Sequence, residues 1–278
     1  MGVIDARGKA VKGLTYLILA IGTVIILAPI YFVLVMSSYT NEALHHTVPY
    51  WFSDQFWINT SELIERAHFF RVYSNSLIVS TFAVMGAVFF AALYGYGVSK
   101  YNFKGKKALT WIVIILMMIP QQVNLVGYVM QMRTMGFTGT LAPMIFVWLA
   151  HPFSAFFMIQ FIKGAVPTEV IESGRIDGAN ELKILFSIAM PFLLPAFAAV
   201  GTLVFLWSWN NYLLPLVVAN TMRLRTLPVF IQNLAGEYRE ELHLRATAVI
   251  WTIIPLVTVF SVFSKTFIKG IAAGAIKG

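Results

Sequence analysis

Glu169-Val170-Ile171-Glu172-Ser173-Gly174-Arg175-Ile176-Asp177-Gly178-Ala179-Asn180-Glu181-Leu182-Lys183 is a polar island in an apolar chain, and the stretches beside it decide the fold. The island holds four of the twelve acidic residues, whereas the runs from Thr134 to Ile162 and from Ile184 to Met222 carry no charged side chain. A charged segment wedged between two membrane-length runs has to sit in water, so the chain crosses a bilayer on either side of it. Thr168 is placed to cap a short helix beginning near Glu169, Gly174 or Gly178 to end it, and Asp177 to cap a second helix running toward Pro191. Two short helices on a glycine turn make a rigid knob. The plain alternative is an interfacial loop whose charges are only solvated.

The rest of the composition agrees with a polytopic membrane protein. Of 278 residues, 59% are hydrophobic and 12% charged, and the mean hydropathy of +0.77 is far above that of a water-soluble core. There is no cysteine, which excludes disulfides, thiol catalysis and cysteine-ligated metal. A net charge of +8 would suit nucleic acid only if the basic residues clustered on one surface; here they are scattered at the ends of apolar runs, so no nucleic-acid partner is expected.

A helix needs about 20 apolar residues to cross the hydrocarbon, and six stretches qualify: roughly 13–37, 75–98, 108–132, 139–162, 190–217 and 246–264. The first is longer than a signal-peptide core and no small-residue cleavage site follows it, so it reads as a retained anchor. The uncharged run from Ile184 to Met222 is 39 residues long and could hold two helices, which would make seven spans. Charge decides for six. Arg7, Lys9, Lys12, Lys100, Lys104, Lys106, Lys107, Lys163, Arg175, Lys183, Lys265, Lys269 and Lys277 then share one side, leaving Arg66, Arg71, Arg133, Arg223, Arg225, Arg239 and Arg245 on the other. The lysine-bearing side is expected to be cytoplasmic, with both termini, the 163–189 loop and the 265–278 tail. The outer side receives the 38–74 loop, whose Tyr50, Trp51, Phe52, Phe56, Trp57, Phe69, Phe70 and Tyr73 suit the headgroup boundary. Asn59-Thr60-Ser61 matches a glycosylation acceptor triplet in form only.

None of the six spans has an Asp, Glu, Lys or Arg at its middle, which disfavours an ion-coupled carrier. No phosphate-cradling loop is present either, since Gly105-Lys106 has Lys100 where the first glycine should stand. Energy for uphill transport must come from a partner. The five histidines, His45, His46, His68, His151 and His243, show no metalloenzyme spacing, so no catalytic residue and no metal site is expected. The uncharged polar residues of the spans are Gln121, Gln122 and Asn124 after Pro120, His151 and Gln160, and Asn210 and Asn211 beside Trp209. They either hold helices together by hydrogen bonds or line a wetted solute path; Gln121, Gln122, Asn124, Asn210 and Asn211 are the path candidates, and His151 is expected to be structural. Ala87, Ala91 and Gly95 form a flat ridge for close helix packing.

Glu172-Ser173-Gly174, two residues, Asp177-Gly178-Ala179, then Met190-Pro191 and Pro195 resembles the EAA loop of bacterial ATP-binding-cassette (ABC) importer permeases, with Ser173 and Gly174 in place of two alanines and Met190 in place of leucine. Arg71 to Ser76, Ile119-Pro120, Trp209-Asn210-Asn211-Tyr212 and the glycine-rich tail from Phe267 to Gly278 extend the likeness along nearly the whole chain, nearest to the smaller permease of the maltose and oligosaccharide type. The resemblance implies an all-α integral membrane protein of six transmembrane helices, with the type I ABC importer permease fold and cytoplasmic EAA coupling helices. It also implies the function: half of the translocation pathway of an ATP-driven, binding-protein-dependent sugar importer in a bacterial or archaeal cytoplasmic membrane. A non-sugar solute such as glycerol phosphate is the alternative cargo, and an ion-coupled carrier the rival class. The implied partners are a homologous second permease, two ATPase subunits and an extracytoplasmic sugar-binding protein, besides the sugar and membrane lipid. No cofactor is expected on this chain, ATP and Mg being held by the ATPase. Carried over by position, Glu169, Glu172, Ser173, Gly174, Arg175, Asp177, Gly178 and Ala179 couple to the ATPase, and Gly274, Lys277 and Gly278 of the tail reach toward it.

Overall fold

The computed structural model describes residues 2–237 and 241–275, and every regular element among them is helical. In chain order these are α1 (Gly2–Met36), α2 (Asn41–His46), α3 (Phe56–Ala67), α4 (Phe69–Lys100), α5 (Lys106–Met118), α6 (Leu125–Thr134), α7 (Ala142–Leu149), α8 (Pro152–Ala165), α9 (Thr168–Ile176), α10 (Glu181–Lys183), α11 (Met190–Phe192), α12 (Leu194–Trp209), α13 (Leu213–Val218), α14 (Leu227–Glu237) and α15 (Leu242–Ala275). Four stretches are long and apolar enough to cross a membrane as they stand: Val11–Met36, Phe69–Lys100, Ala142–Ala165 and Leu242–Phe267. Two further stretches are bent pairs, Lys106–Met118 with Gln121–Thr134 at 94° and Glu181–Phe192 with Leu194–Trp209 at 77°, which makes six crossings if each pair is one.

Prolines stand at both bends, Pro120 at the first, Pro191 and Pro195 on either side of the second. Ile119 and Pro120 are extended (ψ 120° and 132°), because a proline offers no N–H to α5 and drives the residue before it out of the helical region. A 3₁₀ turn, Gln121–Asn124, restarts the helix, so what reads as one bent span in the sequence is two helices. Pro191 likewise cannot donate to the carbonyl of Ser187. The Met190 N–H reaches back five residues to Leu185, giving the π turn Ile184–Ala189 that links α10 to α11.

Two compact units are present. One is built from the chain through Phe69 together with Ile231–Ile254, the other from Phe70–Phe230 together with the chain from Pro255. In the first, nearly all apolar side chains of α1 from Val11 to Tyr31 are exposed, Tyr16 at 71% and Ile26 at 72%, a surface that needs lipid or protein around it. Beyond α1 a buried polar cluster closes the turn. The Asn59 amide donates to the carbonyls of Ser37 and Tyr39 at 2.9 Å each, the Leu242 N–H to the Asn41 side chain at 2.9 Å, and the Trp251 indole to Thr60 Oγ1 at 3.3 Å. Asn59 is only 3% exposed, so its Asn-Thr-Ser triplet is packing and not an acceptor for sugar. Tyr50 and Phe52 fold back on α1: the Tyr31 hydroxyl donates to the Tyr50 carbonyl at 2.6 Å, and Tyr31 meets Phe52 edge-on at 5.8 Å.

The second unit is organised on α4. Ala83, Ala87, Ala91 and Ala92 are buried, and Gly95 lies so close to α8 that a methyl group there would stand 2.9 Å from Met158 Cγ and 3.0 Å from its backbone carbonyl carbon. Gly201 of α12 approaches Val84 in the same way, at 3.3 Å. Gly95 of the small-residue ridge read from the sequence is therefore a point at which α8 approaches α4 closely. α5 and α12 also pack on α8. At the other end of α4, Asn75 Nδ2 donates to the carbonyls of Arg223 and Arg225 at 2.8 and 3.0 Å, and Ser76 Oγ accepts the Leu227 N–H at 2.8 Å, pinning the turn that precedes α14.

Candidate functional site

The polar island folds as a tight hairpin. α9 starts after Pro167, whose extended φ and ψ (−61°, 140°) place it at the cap position; Thr168 is thus the first helical residue and not the cap expected of it. α9 ends in a closed backbone turn. The Gly178 N–H donates to the Arg175 carbonyl and the Ala179 N–H to the Gly174 carbonyl, both at 3.0 Å, with Gly178 at φ +76°. These are the paired bonds of a Schellman motif, and they require the left-handed conformation that glycine adopts without strain. Asp177 closes this first helix. The second is capped three residues later, where Asn180 Oδ1 accepts the Lys183 N–H at 2.8 Å.

The hairpin's inner side is packed by Ile171 and Gly174. Both are buried, and a Cβ on Gly174 would stand 2.7 Å from Ile188 Cδ1, so the glycine lets α9 lie against the π turn. Gly174 therefore serves the hairpin's own packing. Glu169, Glu172, Ser173 and Asp177 are exposed and Ala179 is half-buried, while Ile176, 85% exposed, and Leu182 add two bare apolar side chains to the rim.

Arg175 turns back onto the chain. Its Nε donates to Glu181 Oε1 at 2.8 Å, its guanidinium carbon lies 5.7 Å from the centre of the Tyr101 ring, and the Tyr101 hydroxyl donates to Glu181 Oε2. The Arg175 hydrogen bond, followed by that from Tyr101, holds the Glu181 carboxyl below its ordinary range. The same Glu181 contact raises Arg175, and burial together with the carboxylate pushes the Tyr101 hydroxyl up to about 12. Tyr101 and Glu181 carry no signal in the sequence: one follows a long helix, the other starts a short one, and 80 residues separate them.

The amide groups are less unified. Gln121, Gln122 and Asn124 are all exposed on the 3₁₀ turn after Pro120. Asn210 closes α12, its Nδ2 donating to the Leu206 carbonyl at 2.8 Å, and Asn211 Oδ1 accepts the Leu214 N–H at 3.3 Å to start α13. Each asparagine is engaged with its own turn. The two groups lead into α6 and α13, which touch. His151 is buried at the break between α7 and α8, hydrogen-bonded to Ser154 Oγ at 2.9 Å and flanked by Trp148 and Trp207. Gly274 belongs to α15, whereas Lys277 and Gly278 lie outside the described residues. Among the described residues no group of three His, Cys, Asp or Glu could hold a metal.

Residues 83–273 match the family described as "Binding-protein-dependent transport system inner membrane component". The chain is 33% identical over 216 residues to the arabinooligosaccharides transport system permease protein AraQ of Bacillus subtilis (strain 168), covering 76% of this chain and 74% of that one. It is 32% identical to the melibiose/raffinose/stachyose import permease protein MelC of the same strain, covering 79% and 80%. Its fold is similar to a chain of a bacterial ABC transporter involved in import of the acidic polysaccharide alginate, with a TM-score of 0.81 over 93% of this chain and 97% of that one, at 21% identity.

Proposed function

The chain belongs to the family of binding-protein-dependent transport system inner membrane components, and on that premise we propose that it is a sugar-importing permease moved by a separate ATPase through the Thr168–Lys183 hairpin. It is a multi-pass membrane transporter subunit and not an enzyme. The observation that carries the sugar reading is the similarity, over about three-quarters of the chain, to permeases named for arabinooligosaccharides and for melibiose, raffinose and stachyose. A homologous second permease, two ATPase subunits and an extracytoplasmic binding protein complete the machine, with ATP and Mg on the ATPase. The lysine-bearing ends of the helices, the hairpin and both termini face the cytoplasm.

The geometry supports the coupling role physically. A lever must be stiff, and this hairpin is closed by two main-chain bonds, capped by Asn180 and backed by Ile171 and Gly174. A lever must also offer a contact, and Glu169, Glu172, Ser173 and Asp177 with Ile176 and Leu182 form an exposed acidic and apolar rim suited to a basic-edged apolar cleft. Drawing two such hairpins together as an ATPase dimer closes would tip the helices from inward-open to outward-open. The exposed amides after Pro120 are the best candidates for a wetted path, because unpaired amides in lipid are costly. Asn210 and Asn211 shape its rim through the α12–α13 turn.

The test is reconstitution of the complete complex in vesicles with its binding protein, and ATP-dependent uptake from a panel of arabinotriose, raffinose, maltose and glycerol 3-phosphate. Accumulation of one of the sugars is expected. Uptake of glycerol 3-phosphate alone would replace the sugar reading, and uphill uptake without the ATPase subunits would end the coupling one.

A further inference from the structure

The geometry points to Tyr101, Arg175 and Glu181 as a clasp that fastens the coupling hairpin to the end of α4, so that displacement imposed on the hairpin is delivered to that helix. The inference rests on the coupling role proposed above and adds the residues through which the movement leaves the hairpin.

Both carboxylate oxygens of Glu181 are taken, and by different parts of the chain: Oε1 by Arg175 of α9, Oε2 by Tyr101 just beyond α4. The Arg175 guanidinium over the Tyr101 ring closes the third side. Stability alone is a poor account of this cluster. The side chains of Arg175 and Glu181 are 41% and 45% exposed, and water screens so open a pair until it adds little to stability. Its geometry is more informative. The half-buried Tyr101 ring meets the buried Tyr96 edge-on at 5.8 Å, so the ring that carries the hydroxyl is seated against the helix packing.

The two residues before Tyr101 also fasten α4 to its neighbours. Ser99 Oγ donates to the Ile159 carbonyl of α8 at 3.1 Å, and Lys100 Nζ donates to the Val166 carbonyl, where the chain leaves α8 for the hairpin. Lys106 Nζ returns to the Tyr101 carbonyl at 2.9 Å. Three consecutive residues, Ser99, Lys100 and Tyr101, thus hold α8, the start of the hairpin and its turn. α4 spans 32 residues, about 48 Å at 1.5 Å per residue, so a shift of this end tilts a helix that reaches across the whole bilayer. Movement of the hairpin can therefore reach the bundle by two routes, onward through the π turn into α12 and sideways through the clasp into α4.

The experiment uses the reconstituted complex and the panel sugar that wild-type vesicles accumulate fastest, and reads sugar molecules imported per ATP hydrolysed. Tyr101→Phe removes only the hydroxyl and Glu181→Gln only the charge; each is expected to lower that ratio by about threefold or more, with ATPase subunits still co-purifying at wild-type stoichiometry. Arg175→Glu is expected to lower it further, and adding Glu181→Arg to restore at least about half of the loss, since the pair is re-formed with its ends exchanged. An unchanged ratio in Tyr101→Phe and Glu181→Gln would overturn the clasp. So would a parallel fall in co-purification and uptake, which marks a direct ATPase contact, or a failure of the exchanged pair to recover. Loss of the ATPase from the wild-type complex would instead overturn the coupling role itself.

Discussion

Gly178 and Gly174 lie four residues apart and make opposite demands on a substitution. At Gly178 the φ of +76° costs an L-residue about 1–2 kcal/mol, yet nothing lies within 4 Å of the added Cβ, so the protein should still fold and insert. Gly178→Val is expected to keep normal membrane abundance and lose about tenfold or more of uptake, because the side chain lands on the face offered to the ATPase. Normal uptake by that variant would remove the hairpin from the mechanism. At Gly174 the obstacle is a single flexible methyl, Ile188 Cδ1, and Gly174→Ala recovers about 1 kcal/mol of helix propensity; uptake should stay within about twofold of wild type. Gly95→Ala provides the contrast. There the added methyl meets the Met158 backbone, which cannot swing aside, so a loss of about 1–3 kcal/mol is expected, read as a lower melting temperature of the purified complex. Glu181 adds a pH dependence whose sign follows from its depressed folded pKa: the contribution is present above the unfolded value and fades as pH falls through the folded one. The melting-temperature gap between wild type and Glu181→Gln, small for so exposed a pair, should therefore be widest at neutral pH and narrow as acid protonates the carboxylate; a gap that persists in strong acid would assign the effect to shape rather than charge.

Among elements, the hairpin shows which parts of a fold are legible in a sequence. Its end could be narrowed to Gly174 or Gly178 because only one residue type enters the left-handed region freely, and the choice of Gly178 came from the packed chain, which buries Gly174 inside α9. Its two caps could not be read. A Schellman turn consumes Asp177, Gly178 and Ala179 in closing the first helix, which moves the start of the second from Asp177 to Asn180, and Pro167 takes the position expected of Thr168. Asn180→Ala should cost about 1 kcal/mol of local stability, detected as faster amide hydrogen exchange over Glu181–Lys183 and an unaffected α9; equal acceleration in both helices would show that they open as one unit. Long apolar runs are legible as candidate membrane helices because twenty residues of hydropathy average out local exceptions, and four of the stretches are long and apolar enough as they stand while two are bent pairs. The break at Pro120 and the π turn at Ile184–Ala189 depend on which carbonyl a displaced N–H finds, and that is settled only in the packed chain. The clasp was invisible for the same reason, since Tyr101 meets Glu181 only after α4, α8 and α9 have been laid together.

Across the whole molecule, the absence of native cysteine makes the proposed orientation directly testable. Trp51→Cys should react with a membrane-impermeant maleimide in intact cells, and Lys104→Cys only after permeabilisation; the reverse pattern would invert the assignment of sides. Gly278 and Lys277 lie outside the described residues, so contact between the tail and the ATPase would be tested by crosslinking in the same cysteine-free background.

The turn of the hairpin owes its form to main-chain bonds and one glycine, whereas the side chains of Glu169, Glu172, Ser173 and Asp177 are exposed and make none of the bonds that close it. Plug and key-pattern are therefore separable. A lineage could re-match this permease to a foreign motor by rewriting a handful of outward letters, with the moulding beneath them untouched.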